Sequence, residues 1–125
     1  MIKFLFIFLT TVFISCVHAQ NLSTSEMNDH EINLKNFGFT YCLTKSNNEG
    51  LIDEASLAMG GYFQNGSYDE NAYKNIKNFI DQELLRYNKI YKSTGATPIM
   101  MNCLDLYNSS KYNKIIKNQK KFFIN

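Results

Sequence analysis

Residues 67–91, SYDENAYKNIKNFIDQELLRYNKIY, decide the fold class of this chain. Apolar side chains recur in this stretch every three or four residues, the spacing that places them on one face of an α-helix. They are Tyr73, Ile76, Ile80, Leu84, Tyr87 and Tyr91. Ser67-x-x-Glu70 precedes them and fits a capping box, in which each side chain accepts a hydrogen bond from the other residue's backbone N–H. The stretch therefore predicts a helix of about five turns, whose apolar face Phe79 and Leu85 widen.

Shorter apolar repeats on both sides of this stretch predict four more helices. The first is marked by Leu34, Phe37, Tyr41 and Cys42, and the second by Ile52, Ala55, Met59, Tyr62 and Phe63. The fourth is marked by Met100, Cys103, Leu104 and Tyr107, and the fifth by Tyr112, Ile115 and Ile116. Asn47 or Asn48 can cap the second helix, and Thr97-Pro98 provides a cap and a first-turn proline for the fourth. Because no segment alternates as a strand would, the sequence predicts an all-α fold, a compact bundle of about five helices.

Two glycines, Gly60 and Gly61, lie inside the predicted second helix. Each costs a helix about 1 kcal/mol relative to alanine. We therefore expect close backbone packing at this point, against another helix or against a partner.

The first nineteen residues have the features of a secretory signal peptide. Lys3 precedes an apolar run from Phe4 to Val17, and small residues at Val17 and Ala19 suit cleavage before Gln20. The run is too short to span a membrane comfortably, since that takes roughly 20 apolar residues. A second interpretation is lipid attachment at Cys16, although Phe13 replaces the leucine usual in such a motif. We predict a signal peptide over residues 1–19, a flexible lead-in over 20–33 and a single helical domain over 34–125.

Removal of residues 1–19 leaves two cysteines, Cys42 and Cys103. In an oxidising compartment only one intramolecular disulfide is then available. Chain-entropy estimates put its stabilisation near ~4 kcal/mol for a loop of this length. Two alternatives stay open here: a pair of buried free thiols, or a nucleophilic Cys42 served by His30, the one histidine after residue 19.

The charges of the chain are divided unevenly along it. Residues 20–70 carry eight acidic residues and two lysines, whereas residues 71–125 carry ten basic residues and three acidic ones. Five lysines follow Asp105, at positions 111, 114, 117, 120 and 121. A basic run can bind nucleic acid or anionic membrane, but this run has no arginine and the signal peptide exports the chain. A solvated helix end, where lysines suit the C-terminal dipole, explains it better, so we expect no nucleic-acid partner.

The sequence lacks the residue patterns of an enzyme, a metal site or a cofactor site. Phosphate-binding glycine loops, paired histidines, Cys-x-x-Cys and His-Glu-x-x-His are all missing. Adjacent carboxylates at Asp53-Glu54 and Asp69-Glu70 point to different faces of a helix, which makes them poor acid/base pairs. We predict no catalytic residues, no metal ligands, no cofactor and no membrane-spanning segment after the signal peptide. A small exported helical protein of this kind most often binds a partner.

Four segments together resemble one protein family. They are FGFTYCL (37–43), AMGGYF (58–63), YDENAY (68–73) and MNCLDLY (101–107). In order and spacing they are similar to the fourth family of type VI secretion amidase immunity proteins, from about Asn36 to Lys117. No segment is specific alone, but the two Cys-Leu motifs framing Gly-Gly-Tyr and the Glu-x-Ala-Tyr start of the third helix are specific jointly. The polar lead-in and the lysine-rich end fall outside the resemblance.

The resemblance implies a periplasmic, all-helical homodimer with a disulfide between Cys42 and Cys103. It implies a partner as well, a papain-like cysteine peptidase that cuts the peptide stems of peptidoglycan and whose active-site cleft the immunity protein blocks. The family's inhibitory loop corresponds in position to residues 88–97. Its candidate contacts are Lys89, Tyr91, Lys92, Ser93 and Thr94.

Within that loop we expect Tyr91 to anchor the contact, because aromatic side chains dominate interface energetics. Lys89 and Lys92 would steer association. The competing interpretation makes Tyr91 the last core residue of its helix.

Two functions from different classes remain at this point. One is an immunity protein that occludes the cleft of an amidase toxin, and the other is an orphan structural or adaptor protein of the periplasm. A neighbouring gene encoding a protein with a papain-type Cys and His would favour the first.

Overall fold

The computed structural model describes residues 27–87 and 89–124. Five α-helices follow one another along these residues: α1 (Asp29–Leu43), α2 (Glu49–Gln64), α3 (Glu70–Leu84), α4 (Ile99–Tyr107) and α5 (Ser110–Asn118). A 3-10 turn, Gln119–Phe122, follows α5. The predicted all-α bundle is thus confirmed. Helix α1 lies at its centre, since it packs against α2, α3, α4 and α5.

The core is built around α1, α3 and α5. Leu34, Ile76 and Ile116 are completely buried, and each comes from a different one of these three helices. Gly38 allows α1 and α5 to approach closely, because a Cβ at this position would overlap the Tyr112 hydroxyl of α5. That hydroxyl donates a hydrogen bond to the Lys35 carbonyl oxygen at 2.8 Å. The glycine thus lets a buried polar group reach its partner inside the core.

The predicted disulfide between Cys42 and Cys103 is confirmed. It joins α1 to α4 with a Cα–Cα distance of 5.8 Å, and both residues are buried. The free-thiol and nucleophile alternatives are therefore wrong. His30, the proposed base, instead packs edge-on against Phe123 with ring centroids 4.9 Å apart.

The predicted lead-in over residues 20–33 is wrong at its C-terminal end. Helix α1 begins at Asp29, where Asn28 accepts a hydrogen bond from the Glu31 N–H and the Glu31 side chain accepts one from Asn28. This is a capping box that the sequence analysis overlooked. The predicted signal peptide over 1–19, the lipidation alternative at Cys16 and the first part of the lead-in lie outside the described residues.

The long third helix is shorter than predicted at both ends. Asp69, not Ser67, caps it by accepting a hydrogen bond from the Asn71 N–H. It ends at Leu84 and not near Tyr91. Tyr87 still packs against the core, but it does so from the turn that follows the helix. Its position in the apolar repeat therefore does not mean that it belongs to α3.

The buried face of α4 also differs from the prediction. Cys103 is buried as expected, but the other buried residues are Asn102 and Leu106, whereas Met100 and Leu104 are exposed. The disulfide sets this orientation, because it turns the Cys103 side of α4 toward α1. Pro98 occupies the N-cap position and Thr97 makes no side-chain cap, so the predicted cap shifts by one residue, within the usual uncertainty of helix ends.

The C-terminal residues belong to the folded domain. The Asp69 N–H donates to the Phe122 oxygen at 2.8 Å, and the Ile124 N–H donates to the Ser67 oxygen at 2.8 Å. The predicted single domain therefore includes the segment beyond α5. None of the helices in the described parts of the chain has the length and apolarity to cross a membrane.

Candidate functional site

The segment between α3 and α4 is the candidate site, and both of its ends are attached to the core. On the α3 side, the Tyr87 N–H donates to the Leu84 oxygen at 3.0 Å, and the Tyr87 ring packs against the core. On the α4 side, Pro98 is buried and its carbonyl accepts from the Asn102 N–H at 2.9 Å. Residues 89–97, between these two points, are all exposed.

The middle of this loop is a tight turn. The Tyr91 N–H donates to the Ala96 oxygen at 2.8 Å, and the Gly95 N–H donates to the Tyr91 oxygen at 2.7 Å. Gly95 has φ +69°, a left-handed conformation that favours glycine. The Thr94 hydroxyl accepts a further bond from the Ala96 N–H at 3.3 Å. These bonds close residues 91–96 into a local structure that does not depend on long-range packing.

The structure brings the predicted site residues together in one loop but gives them different places. Lys92, Ser93 and Thr94 form the tip of the turn and are exposed. Tyr91 lies at the base of the turn, 41% exposed. The competing interpretation, in which it is the last core residue of a helix, is therefore wrong. Lys89 lies nearer to α3.

Lys89 connects the loop to α4. Its Nζ lies 3.9 Å from Oδ2 of Asp105, and both side chains are more than half exposed. An exposed pair of this kind contributes less than about 1 kcal/mol. Lys92 is in no ion pair with a carboxylate in the described parts of the chain. The tip therefore presents an uncompensated positive charge.

One apolar residue of the loop was missed in the sequence analysis. Ile90, next to Tyr91, is a large exposed hydrophobic side chain. The signal was available, because a β-branched apolar residue inside a polar loop has no packing role there. Ile90 and Tyr91 together place apolar surface beside the cationic tip, the mixture common in protein interfaces.

Two carboxylates on the helices that flank the loop, Glu83 of α3 and Asp105 of α4, act on the tyrosine at its α3 end. Burial, followed by the nearby charges of Asp105 and Glu83, raises the pKa of Tyr87. The loop itself has no acidic residue between positions 89 and 97. The loop is thus an exposed, basic turn, and its side chains are suited to contact with another molecule.

Comparison with known proteins assigns the chain to a family. The family model described as type VI secretion system (T6SS) amidase immunity protein, Tai4, matches residues 32–116. The chain belongs to the Tai4 family. The match covers the candidate loop and both cysteines of the disulfide, and it stops before the 3-10 turn that completes the domain. No curated protein matches the chain.

Membership of the Tai4 family determines the general class of function. The chain is an amidase immunity protein of the type VI secretion system, and so an inhibitor and not a catalyst. The resemblance given by the four sequence segments is confirmed. It follows that an amidase effector is the class of partner to consider for the loop.

Proposed function

We propose that this protein works in the periplasm and protects its cell by plugging the active-site cleft of a peptidoglycan amidase. The toxin would be a papain-like cysteine peptidase. The loop of residues 89–97 would enter its cleft. The observation that carries this proposal is the closed turn of residues 91–96, which stands exposed between two anchored helices.

A preformed turn suits cleft binding for an energetic reason. Ordering a flexible segment on binding costs about 0.5–1.5 kcal/mol for each immobilised side chain. Here the two hydrogen bonds between Tyr91 and Ala96 or Gly95 exist already. Less ordering is therefore needed when the tip meets its target, and more of the contact energy remains as affinity.

The proposed contacts divide into an anchor and steering charges. Tyr91, with Ile90 beside it, would supply the apolar contact, because aromatic anchors carry much of an interface's energy. Lys89 and Lys92 would accelerate association with an acidic surface, and Ser93 and Thr94 would supply hydrogen bonds at the tip. Protection of a cell calls for nanomolar binding, roughly −12 kcal/mol.

We propose a homodimer as the active form. Leu85, at the end of α3, is 87% exposed, a large apolar side chain that a partner surface could cover. Phe79, the other residue that widens the apolar face of this helix, supports the dimer less than Leu85 does, because its ring stacks on Tyr112 with centroids 6.0 Å apart inside the molecule.

The test uses the amidase encoded beside this gene. Bacteria that export this amidase should survive when they also make the intact protein. Replacing Lys89 to Thr94 by a Gly-Ser linker should abolish survival, and the purified variant should bind the amidase at least about a hundredfold more weakly, since hot-spot losses reach that size.

A charge variant and a matched control make the test specific. Lys89→Glu with Lys92→Glu should slow association with the amidase at low salt and reverse its salt dependence, because added salt would then screen a repulsion and no longer an attraction. Lys114→Glu with Lys120→Glu changes the net charge equally on α5 and the 3-10 turn, away from the loop, and should leave protection intact. Full protection by the linker variant would rule out the loop as the inhibitory element. No binding by the intact protein would rule out this amidase as its target.

A further inference from the structure

A groove runs beside the exposed side of α2, and nothing in the described residues fills it. Its volume is about 400 Å³. Phe37, Phe63 and Tyr73 form its apolar floor, with the Tyr73 ring 4.7 Å from Phe37 and 4.8 Å from Phe63. Phe63 remains 49% exposed. Phe37 and Tyr73 are themselves buried, so the exposed Phe63 ring is the part of this floor that a further apolar group would cover.

Gly60 forms part of the groove wall with bare backbone. A Cβ at Gly60 or at Gly61 would have no neighbour within 4 Å. Of the two alternatives that the sequence left open for these glycines, close packing against another helix of the same molecule is therefore wrong. The two glycines still destabilise the helix relative to alanine. A contact with a group from another molecule is the alternative that explains why their backbone is left bare.

The groove has one basic end. Lys74 and Lys77 lie on its rim, and the Lys77 Nζ lies 5.7 Å from the Phe37 ring centroid. Along the described chain, neither lysine is within ion-pair distance of a carboxylate. Glu70 also lines the groove, two turns before Lys77 on α3, so the two ends of the groove differ in charge. A ligand with an apolar side chain and a neighbouring carboxylate fits such a site.

The same chain carries a group of that chemistry on α2. Leu57 is 74% exposed, and Asp53 and Glu54 lie four and three residues before it, on the same side of the helix. Both carboxylates are exposed, and neither forms an ion pair with any described residue. We call Asp53, Glu54 and Leu57 the acidic knob.

We infer that the acidic knob of one copy enters the groove of a second copy, so that α2 and α3 form the dimer interface. Leu57 would lie on the aromatic floor beside the partner copy's bare glycine backbone, and the carboxylates would face the rim lysines. Knob and groove adjoin on one face of the molecule, since Leu57 and Gly60 are three residues apart on α2. A two-fold axis can therefore make both contacts at once, as isologous dimers require.

This inference rests on the proposed homodimer and adds its surface. It leaves the loop of residues 89–97 outside the interface, because that loop connects α3 to α4 and has no residue in the groove. Each copy of the dimer would then keep its loop available for an amidase.

Two charge-reversal variants test the inference by sedimentation equilibrium of the purified exported protein. The first is Asp53→Lys with Glu54→Lys, and the second is Lys74→Glu with Lys77→Glu. Each variant alone places like charges in both contacts and should weaken dimerisation by more than about a hundredfold. An equimolar mixture should form a heterodimer with near wild-type affinity, because both of its contacts again join opposite charges.

A steric pair tests the groove without charge. Gly60→Leu would fill the groove and should prevent dimerisation, whereas Gly60→Ala adds similar helix propensity but little volume and should keep it. Circular dichroism and thermal unfolding verify that all four variants are folded. Lys114→Glu with Lys120→Glu controls for net charge.

The outcomes separate this interface from the rest of the proposed function. A monomeric wild type would overturn both the dimer and this surface. If the charge-reversal variants still dimerise, or if their mixture stays monomeric, the proposed α2–α3 interface is wrong, although the protein can still be a dimer. Variants that dimerise normally but lose affinity for the amidase would show that the groove binds the toxin, and this also overturns the inference. Inhibition of the amidase by the loop is measured separately, with the linker variant.

Discussion

Tyr112 shows how one residue connects the centre of the bundle. Its ring lies between α1 and α5, and its hydroxyl reaches the Lys35 carbonyl only because Gly38 has no side chain. A Cβ at Gly38 would also lie 2.6 Å from Cγ2 of Ile76, which belongs to α3. Three helices therefore meet at one glycine, and any larger residue there would push at least two of them apart.

The first prediction concerns the pH dependence of stability at Tyr112. Burial raises the pKa of its phenol, so the folded state keeps the proton at a pH where the unfolded chain loses it. The stability from this group is therefore complete below about pH 10 and falls by about 1.4 kcal/mol per pH unit above it. At neutral pH, Tyr112→Phe should cost about 1 kcal/mol, because the hydrogen bond to Lys35 is lost.

Urea unfolding at neutral pH and at about pH 11 measures this effect. At neutral pH the free energy of unfolding of wild type should exceed that of Tyr112→Phe, and at the higher pH this difference should disappear. If Tyr112→Phe lost stability with pH as steeply as wild type, ionisation of Tyr112 would not limit alkaline stability.

At the scale of elements, α4 is the helix that the disulfide attaches to α1. It has nine residues, and three of its apolar side chains, Met100, Met101 and Leu104, are exposed. Leu106 is its one fully buried aliphatic side chain, and Ile99 and Tyr107 are only partly buried against the core. The disulfide to Cys42 attaches it to α1 at its buried side, and the candidate loop runs directly into its first turn.

Replacing Cys42 and Cys103 together by alanine should lower the free energy of unfolding by about 2–5 kcal/mol, the usual range for a native disulfide in a small domain. Guanidinium chloride unfolding measures this, with reduced wild type as the matched comparison. Amide hydrogen exchange should increase first in α4 and in residues 89–97, because they lose their nearest fixed point. A loss below about 1 kcal/mol together with unchanged exchange in α4 would show that packing alone holds this helix.

In the elements that the sequence predicted correctly, a local feature such as a capping residue agrees with the way the helix packs in the folded protein. Asn48 caps α2, and Ser109 caps α5. The errors arose where two signals competed. Ser67 and Asp69 are both good caps, and the structure uses Asp69. The Tyr87 spacing continued the helical repeat, yet a turn can bury a tyrosine just as well, so periodicity alone could not locate the end of α3.

The position of the candidate loop was predictable from the sequence, but its conformation was not. Gly95 and Pro98 mark a loop in the sequence, but the hydrogen bonds that close residues 91–96 depend on a conformation that no residue pattern specified. Ile90 was overlooked because its role depends on exposure. In α4, the buried face depends on the disulfide, a long-range constraint that local periodicity cannot contain.

At the scale of the whole molecule, the disulfide and the proposed target both call for the same cellular compartment. The disulfide persists in an oxidising compartment and is kept reduced in the cytosol. Peptidoglycan, the substrate of the proposed target, lies outside the cytoplasmic membrane. An inhibitor of this amidase is therefore useful and fully stable in the same place, and residues 1–19 are the proposed means of reaching it.

We therefore expect deletion of residues 2–19 to abolish protection against the exported amidase, although the protein is still made. Its two cysteines should react with an alkylating reagent in extracts prepared without reductant, whereas those of the exported protein should not. An unrelated cleavable signal peptide fused before Gln20 should restore both protection and the disulfide. Cys16→Ala should change nothing, because cleavage before Gln20 removes this residue; loss of protection in that variant would instead establish a lipid anchor. Full protection by the leaderless protein would contradict the proposed periplasmic site of action, since the cleft and the loop would then have to meet in the cytoplasm.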